Sequence, residues 1–349
     1  MTALGRRRIA GTAVEVTELG FGASVIGNLY REVDDKTAAG AVRAAWDGGI
    51  RTFDTAPHYG LGLSERRLGA ALRPLLASAG RGEAVVSSKV GRLLEPRLPP
   101  LPQDDDGFAV PGDLVRRFDY SRDGVLRSLE QTLERTGLDR LDVVYVHDPD
   151  EHWDEAAHQA VPALVELRDQ GVVGAVGAGM NQSAMLTRFL RETDVDLVML
   201  AGRYTLLEQG ALDDVLPAAI ETGKSVVAAG VFNSGLLAQD DVPDDATYEY
   251  RQAPTELLSR ARQIAEVCRR HATTLPAAAI AFPLRHPAVV SVTLGMRTPA
   301  EVEGNLARAA APVPAELWAE LEERGLLRSW APATRITSTL ATTPTEDHQ

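Results

Sequence analysis

The chain has 349 residues, 44% hydrophobic and 24% charged, the balance of a protein that can bury a sizeable core. Its formal net charge is −13 with both signs interspersed, which argues against nucleic acid or an anionic membrane as a main partner. A single cysteine, Cys268, allows no internal disulfide, and no apolar run reaches the ~20 residues of a membrane span, so a cytoplasmic protein is expected.

In chain order, residues 6–18 are expected to form a small hairpin, with the triple arginine of "GRRRIAG" solvated. "VTELGFGAS" then reads as a first strand. In "KTAAGAVRAAWDGG" the residues Ala38, Ala41, Val42 and Ala45 stripe one helical face, which stops at Gly48 and Gly49. "GIRTFD" and "EAVVSSK" follow as strands. Residues 91–121 are a Pro- and Asp-rich excursion too long for a plain connection, expected to be a functional lid or disordered. In "SRDGVLRSLEQTLERTGLDR", Leu126, Leu129 and Leu133 fall at helical spacing, Ser121 suits the N-cap and Gly137 the left-handed position after the helix. "LDVVYVH", "GVVGAVG", "VDLVML" and "KSVVAAG" are further strands. Cys268 lies within a helical pattern as a small buried hydrophobe, and "AVVSVTLG" is the last strand.

Several of these runs are apolar almost throughout, the mark of parallel strands covered on both faces. Eight strands alternating with helices, with no break in composition, predict an α/β fold: a (β/α)8 TIM barrel with a short N-terminal hairpin and extra C-terminal helices. An open doubly wound sheet is the competing arrangement. Residues 1–330 are expected to form one barrel domain, and 331–349, rich in Ala, Thr and Pro, a loosely held tail.

In such a barrel, function collects at the carboxyl ends of the strands. "RTF" ends in Asp54 with Tyr59 in the next loop, "AVVSS" ends in Lys89, and "VVYV" ends in His147. A phenol has a pKa of about 10, too high for easy proton exchange at neutral pH, and a nearby ammonium lowers it. Lys89 is placed to supply that charge, Asp54 to hold Lys89, and His147 to orient a substrate oxygen, which together make a general acid/base. Each residue taken singly has a plainer role: a cap for Asp54, a solvated cation for Lys89, packing for Tyr59, a satisfied histidine for His147. The weight lies in their gathering on one face. His58 with Asp54, His147 and Asp148 suggests a metal site, but no zinc-like ligand spacing supports it, and no metal is expected.

"FDTAPHYGLGLSERRLG", "SSKVGR", "DYSRDGVLRSLEQTLERTGLDRLDVVYVHDPD" and "LAGRYTLLEQGALDDVLP" together resemble the aldo-keto reductase family from about residue 8 to about residue 325. Within it the sequence is similar to the NAD-linked aldose dehydrogenases that act on L-fucose, L-galactose or D-arabinose, and to pyridoxal 4-dehydrogenase. The resemblance implies hydride transfer with a nicotinamide cofactor and the tetrad Asp54, Tyr59, Lys89 and His147, with Tyr59 as acid/base. It implies that Asn181 grips the carboxamide. The loop "GVFNSGLL", with Phe232, Asn233, Ser234, Gly235 and Leu236, would cover the pyrophosphate. "LGMRTPAEVEGN", with Gly295, Met296, Arg297, Thr298, Glu301 and Asn305, would take the adenosine end at a helix N-terminus.

Departures from the family pattern are informative. Ala201 stands where a carboxamide-binding glutamine is common, and Ala229 where a stacking tyrosine is common, which leaves Phe232 as the alternative stacker. NADPH-using relatives place an arginine where this chain has Glu301, and a carboxylate repels a 2′-phosphate but accepts from a ribose hydroxyl. NAD is therefore expected over NADP, with Arg297 as counterweight and an ordinary helix-start acid as the plainer reading of Glu301. The expected reaction is oxidation of an L-fucose-like aldose at C1 to the lactone. Substrate contacts are expected from the 91–121 loop and from "HDPDEHW", with Trp153, Arg92 and Arg116 as candidate sugar contacts. The alternatives are an NADPH-dependent reductase of small aldehydes or ketones, pyridoxal 4-dehydrogenase, and a non-catalytic nucleotide-binding subunit. The sequence gives no oligomeric state.

Overall fold

The computed structural model describes residues 4–248 and 251–330, so the tail expected at 331–349 lies outside the described residues. The chain opens with an antiparallel hairpin of β1 (Arg6–Arg8) and β2 (Glu15–Thr17). Then come β3 (Leu19–Gly22), α1 (Asp35–Asp47), β4 (Thr52–Asp54), α2 (Leu63–Ala79) and β5 (Val85–Val90). The excursion follows as β6 (Arg92–Leu101) and β7 (Gly112–Phe118), then α3 (Arg122–Thr136), β8 (Val143–His147), α4 (Trp153–Glu155) and α5 (Val161–Asp169). After these run β9 (Ala175–Met180), α6 (Ser183–Glu192), β10 (Leu197–Ala201), α7 (Val215–Thr222) and β11 (Ser225–Ala229). The remaining elements are β12 (Thr247–Tyr248), β13 (Arg251–Gln252), α8 (Thr255–Arg270), α9 (Leu275–Leu284), β14 (Val289–Gly295), α10 (Pro299–Ala310) and α11 (Ala315–Glu323).

Eight strands close into a parallel barrel in the order β3-β4-β5-β8-β9-β10-β11-β14, with β14 pairing back onto β3. Their apolar runs are buried inside the barrel and against the surrounding helices, as parallel strands require. The hairpin closes the amino-terminal end. Ala10 N donates to Ser225 Oγ at 2.9 Å and Arg7 Nη1 to the Val289 carbonyl at 2.8 Å. Ile9 and Val16 pack beneath Tyr145, Leu197 and Val227 as a floor.

Helix ends follow local chemistry. Ser121 Oγ accepts from Gly124 N at 3.1 Å, and Gly137 takes the left-handed position at φ 63°. The buried face of α3 is centred on Val125, Ser128, Leu129 and Thr132, so Leu126 and Leu133 sit at its edge rather than its middle. Strand β9 begins later than "GVVGAVG" implies. Gly171, at φ 74°, turns the chain out of α5, and Val173 N bonds back to the Leu167 carbonyl, so the first valines belong to a turn.

The 91–121 excursion is an ordered β-hairpin, paired from Arg92↔Phe118 onward. Two interactions fix it over the barrel mouth: Phe108 packs with Leu61, and the buried Arg116, paired with Asp104 inside the hairpin, donates to the His58 carbonyl at 2.9 Å. Cys268 is fully buried in α8. No helix among the described residues is long and apolar enough to cross a membrane.

Candidate active site

Neighbouring strands place the polar groups. Asp54 ends β4 opposite Ser87 of β5, and Lys89 stands two residues on, on the same face. His147 ends β8, next to β5. Lys89 Nζ donates to Asp54 Oδ2 at 2.6 Å and to the Thr55 carbonyl at 3.0 Å, while Ser87 Oγ donates to Asp54 Oδ1 at 2.7 Å. All three charged or polar partners of that knot are buried. Lys89 Nζ also lies 4.7 Å from the centre of the Tyr59 ring, and the His147 ring meets Tyr59 edge-on at 5.9 Å. The structure thus brings Asp54, Tyr59, Lys89 and His147 to one spot.

The loop carrying Tyr59 has no slack. A Cβ on Gly60, at φ 63°, would fall 2.1 Å from the Gly27 carbonyl oxygen, so only glycine lets the loop fold against β3's exit. Gly91, at φ 102°, is pressed on the Tyr120 ring in the same way. Tyr120 in turn donates to the His147 carbonyl at 2.6 Å and anchors that strand end. Tyr120 and Ser87 were not singled out by sequence. Ser87 was findable: it stands two residues before Lys89, hence on the same strand face.

The electrostatics follow burial. Burial would lower Lys89, but the Asp54 carboxylate and the Tyr59 hydroxyl outweigh it and hold its pKa above the ordinary lysine value. Burial pushes Tyr59 above the ordinary phenol value, with Lys89 pulling the other way. The expected lowering of Tyr59 by Lys89 is therefore present but outweighed, because the phenol has lost its water. His147 is held well below its ordinary value by burial first and then by Arg92 and Lys89, so its ring is neutral. Its Nδ1 is buried with no hydrogen-bond partner among the described residues.

These groups line a cavity of about 340 Å³ with His58, Asp148, Asn181, Ala201, Ala229 and Gly295. A second cleft of about 700 Å³ continues from it past Ala201 and Gly230 to Asn233 and Ser234. The donor set fits a nicotinamide dinucleotide. Asn181 offers an exposed amide at the mouth. Asn233 donates to the Gly202 carbonyl at 3.3 Å but keeps a buried Oδ1 with no partner, which a ligand donor would satisfy. Ala201 and Ala229 leave room that larger side chains would fill. Gly235 and Leu236 complete the loop, Leu236 buried beneath it.

Phe232 packs on the core behind the loop, which counts against it as a stacking replacement. At the far end, Thr298 caps α10 by accepting from Glu301 N at 3.2 Å, and Glu301 Oε2 accepts from Arg297 N at 2.7 Å. Glu301 Oε1 faces Arg31 Nη2 at 3.4 Å, and Arg297 Nη2 is turned onto the Leu29 carbonyl at 2.9 Å. Met296 is buried, and Asn305 Oδ1 accepts from Arg308 at 2.9 Å.

Two candidate sugar contacts are corrected. Trp153 packs against Phe189 with ring centres 4.9 Å apart and carries the Arg188 guanidinium over its ring at 3.7 Å, so it is packing. Arg116 spends its guanidinium on Asp104, Asp106 and the His58 carbonyl, which braces the hairpin. Arg92 bonds Asp148 Oδ2 at 2.5 Å and His58 Nδ1 at 3.3 Å. No group of three or more His, Cys, Asp or Glu residues among those described is arranged to hold a metal ion.

A closed parallel barrel with this polar cluster at its carboxyl mouth defines a (β/α)8 protein of the enzyme type. Residues 18–325 match the Aldo/keto reductase family, and the chain belongs to it. It is 50% identical to a D-threo-aldose 1-dehydrogenase from a Pseudomonas species, over 91% of this chain and 97% of that one. It is 37% identical to a pyridoxal 4-dehydrogenase from Microbacterium luteolum, over 92% and 98%. Among solved structures it resembles glycerol dehydrogenase from Gluconobacter oxydans, with a TM-score of 0.73 at 22% identity over 91% and 94% of the chains, a likeness of fold. The protein is accordingly an oxidoreductase of a family that uses nicotinamide cofactors on small molecules.

Proposed function

We propose that the protein is an NAD-dependent aldose dehydrogenase that oxidises the C1 hydroxyl of an L-fucose-like cyclic sugar to the lactone. The observation that carries this reading is the buried Lys89 ammonium between Asp54 and Tyr59, in a cavity that His147 also lines. Tyr59 accepts the C1 hydroxyl proton. Lys89 favours the phenolate as it forms, and Asp54 keeps Lys89 charged and in place. His147, neutral, hydrogen-bonds the reacting oxygen and orients it. With a nicotinamide held at Asn181, the site would have an acceptor for the hydride from C1.

Asn181 would hold the carboxamide and Asn233, Ser234 and Gly235 the pyrophosphate, with the start of α10 at the adenosine end. The choice of NAD rests on Glu301, whose carboxylate disfavours a phosphate, and on Arg297, whose guanidinium is already bonded to a carbonyl. The sugar rests on the 50% identical relative named for a D-threo-aldose. Pyridoxal is a second reading, favoured by the 37% identical pyridoxal 4-dehydrogenase. A cytoplasmic setting fits both.

The test follows reduced-nicotinamide absorbance with a panel of aldoses and pyridoxal, NAD and NADP in parallel, on wild type and Tyr59→Phe. Turnover of an aldose with NAD, abolished in the variant, is expected. Turnover only of small aldehydes with NADPH would overturn the reading.

A further inference from the structure

Among the polar side chains of the cavity that the proposed chemistry does not use, two share one arginine, Asp148 and His58. Asp148 follows His147 directly and sits at φ 41°, a left-handed conformation that aspartate adopts more readily than most residues. Its amide donates to the Gly179 carbonyl at 3.0 Å, and Tyr120 donates to its carbonyl at 3.0 Å. The chain is thereby bent so that the carboxylate enters the cavity beside His147, with Oδ2 3.4 Å from His147 Nε2. Arg92 occupies that same oxygen at 2.5 Å. Oδ1 has no hydrogen-bond partner among the described residues, and the side chain is 30% exposed.

Arg92 also fixes the second group. A guanidinium only donates, so the 3.3 Å contact from Arg92 Nη1 makes His58 Nδ1 an acceptor and leaves the ring proton on Nε2. Burial and the Arg92 and Arg116 charges hold His58 down to a pKa of about 2, so it stays neutral with a single N–H. The ring lies 5.6 Å from His147 and 5.9 Å from Tyr59, and it lines the same cavity. One arginine therefore holds both residues in the lining of the cavity that Tyr59 and His147 share, with Asp148 Oδ1 left as an acceptor and His58 Nε2–H as a donor.

A hydroxyl group both donates and accepts, so this pair matches a hydroxyl one carbon away from the reacting centre. A plain aldehyde or ketone would leave Asp148 Oδ1 and the His58 Nε2–H without a substrate partner. Sites built to bond a substrate hydroxyl reject analogues lacking it far more strongly than apolar pockets reject a missing methylene. We propose that Asp148 and His58 are the specificity-determining residues of this enzyme, selecting substrates with a hydroxyl on the carbon next to the reacting one. Asp148 accepts from that hydroxyl and His58 donates to it, while Arg92 positions both. The inference rests on the proposed aldose oxidation and adds the contact that excludes unsubstituted carbonyl compounds.

The experiment measures kcat and KM for a turned-over aldose and its 2-deoxy counterpart on wild type, Asp148→Gly and His58→Phe. Glycine suits the φ at position 148, so the variant loses the carboxylate without backbone strain. Asp148→Asn, a residue tolerant of the same conformation, serves if the glycine variant fails to fold. Wild type is expected to prefer the hydroxylated sugar by about 100-fold or more, and each variant to lose most of that preference. The loss falls on the aldose, mainly in KM, and leaves the deoxy sugar within about threefold. An equal loss on both sugars would make Asp148 a mere support for His147 and overturn the proposal, as would an unchanged preference. Wild type that oxidises no aldose with either nucleotide would sink the function itself. Aldose oxidation with unaltered discrimination in the variants would sink this inference alone.

Discussion

The two ends of the barrel use the same kind of ion pair for opposite purposes. At the amino-terminal end, Asp142 precedes β8 and accepts from Val86 N at 2.8 Å and from Arg81 at 2.9 Å. Asp196 precedes β10 and does the same with Val176 N at 2.8 Å and Arg168 at 2.9 Å. Each carboxylate stitches its own strand to the one before it in the barrel and is satisfied by backbone and arginine. At the carboxyl end, Asp54 holds Lys89 at 2.6 Å, but that ammonium also lies 4.7 Å from the Tyr59 ring centre in the wall of a cavity. The position of an acidic residue at the start or the end of a strand thus separates stitching from chemistry, as expected for this fold.

The largest effect should come from the carboxyl end. Tyr59→Phe is expected to lower kcat/KM by about 10³-fold or more, with thermal stability and nucleotide affinity nearly unchanged. Burial has raised the phenol, so oxidation by wild type should also accelerate as pH rises. Removing the one group that pulls Tyr59 down, as in Lys89→Met, should move that limb further alkaline; an unmoved limb would detach Lys89 from proton transfer. The converse belongs to the other end. Asp142→Ala should cost about 2–3 kcal/mol of stability in denaturant unfolding while kcat stays within about twofold. A large loss of kcat there would break the distinction between the ends.

Acid should expose a third difference. His58 and His147 are buried neutral at the mouth, and the unfolded chain binds their protons more readily. Their folded pKa values lie below the unfolded value, so stability is intact above about pH 6.5 and falls as pH drops toward the folded values. His58 alone, with a folded value of about 2, should cost about 2 kcal/mol between roughly pH 7 and pH 5. His58→Phe should flatten that part of the stability curve, and a slope equal to wild type would refute the assignment.

Legibility in the sequence followed the kind of information each feature needs. The barrel strands were readable because parallel burial demands apolar runs, and Asp54, Lys89 and His147 because strand ends share a face, with Tyr59 in the loop that follows β4. What pairing decides was hidden. Arg116 and Trp153 read as sugar contacts until Asp104 and Phe189 were seen to claim them. The 91–121 excursion read as a lid or as disorder because its prolines and acids mask the cross-strand pairing of Leu94 with Arg116. Asp148 drew notice as a metal candidate and as part of "HDPDEHW", but not singly as a substrate contact, since its turn into the cavity depends on Tyr120, 28 residues earlier.

The smallest effect concerns Glu301. Its Oε2 caps α10 through Arg297 N, a role any acid at that turn performs, so its presence alone does not decide the nucleotide. Glu301→Gln separates the two roles, because an amide oxygen still accepts from Arg297 N while the charge is gone. If the carboxylate also bonds the ribose hydroxyl and repels a 2′-phosphate, the ratio of kcat/KM for NAD over NADP should fall about tenfold, with little change in melting temperature. An unchanged ratio would leave Glu301 as a helix cap and return the cofactor preference to Arg31 and Arg297. Both guanidiniums stand beside it, Arg31 within 3.4 Å of its Oε1.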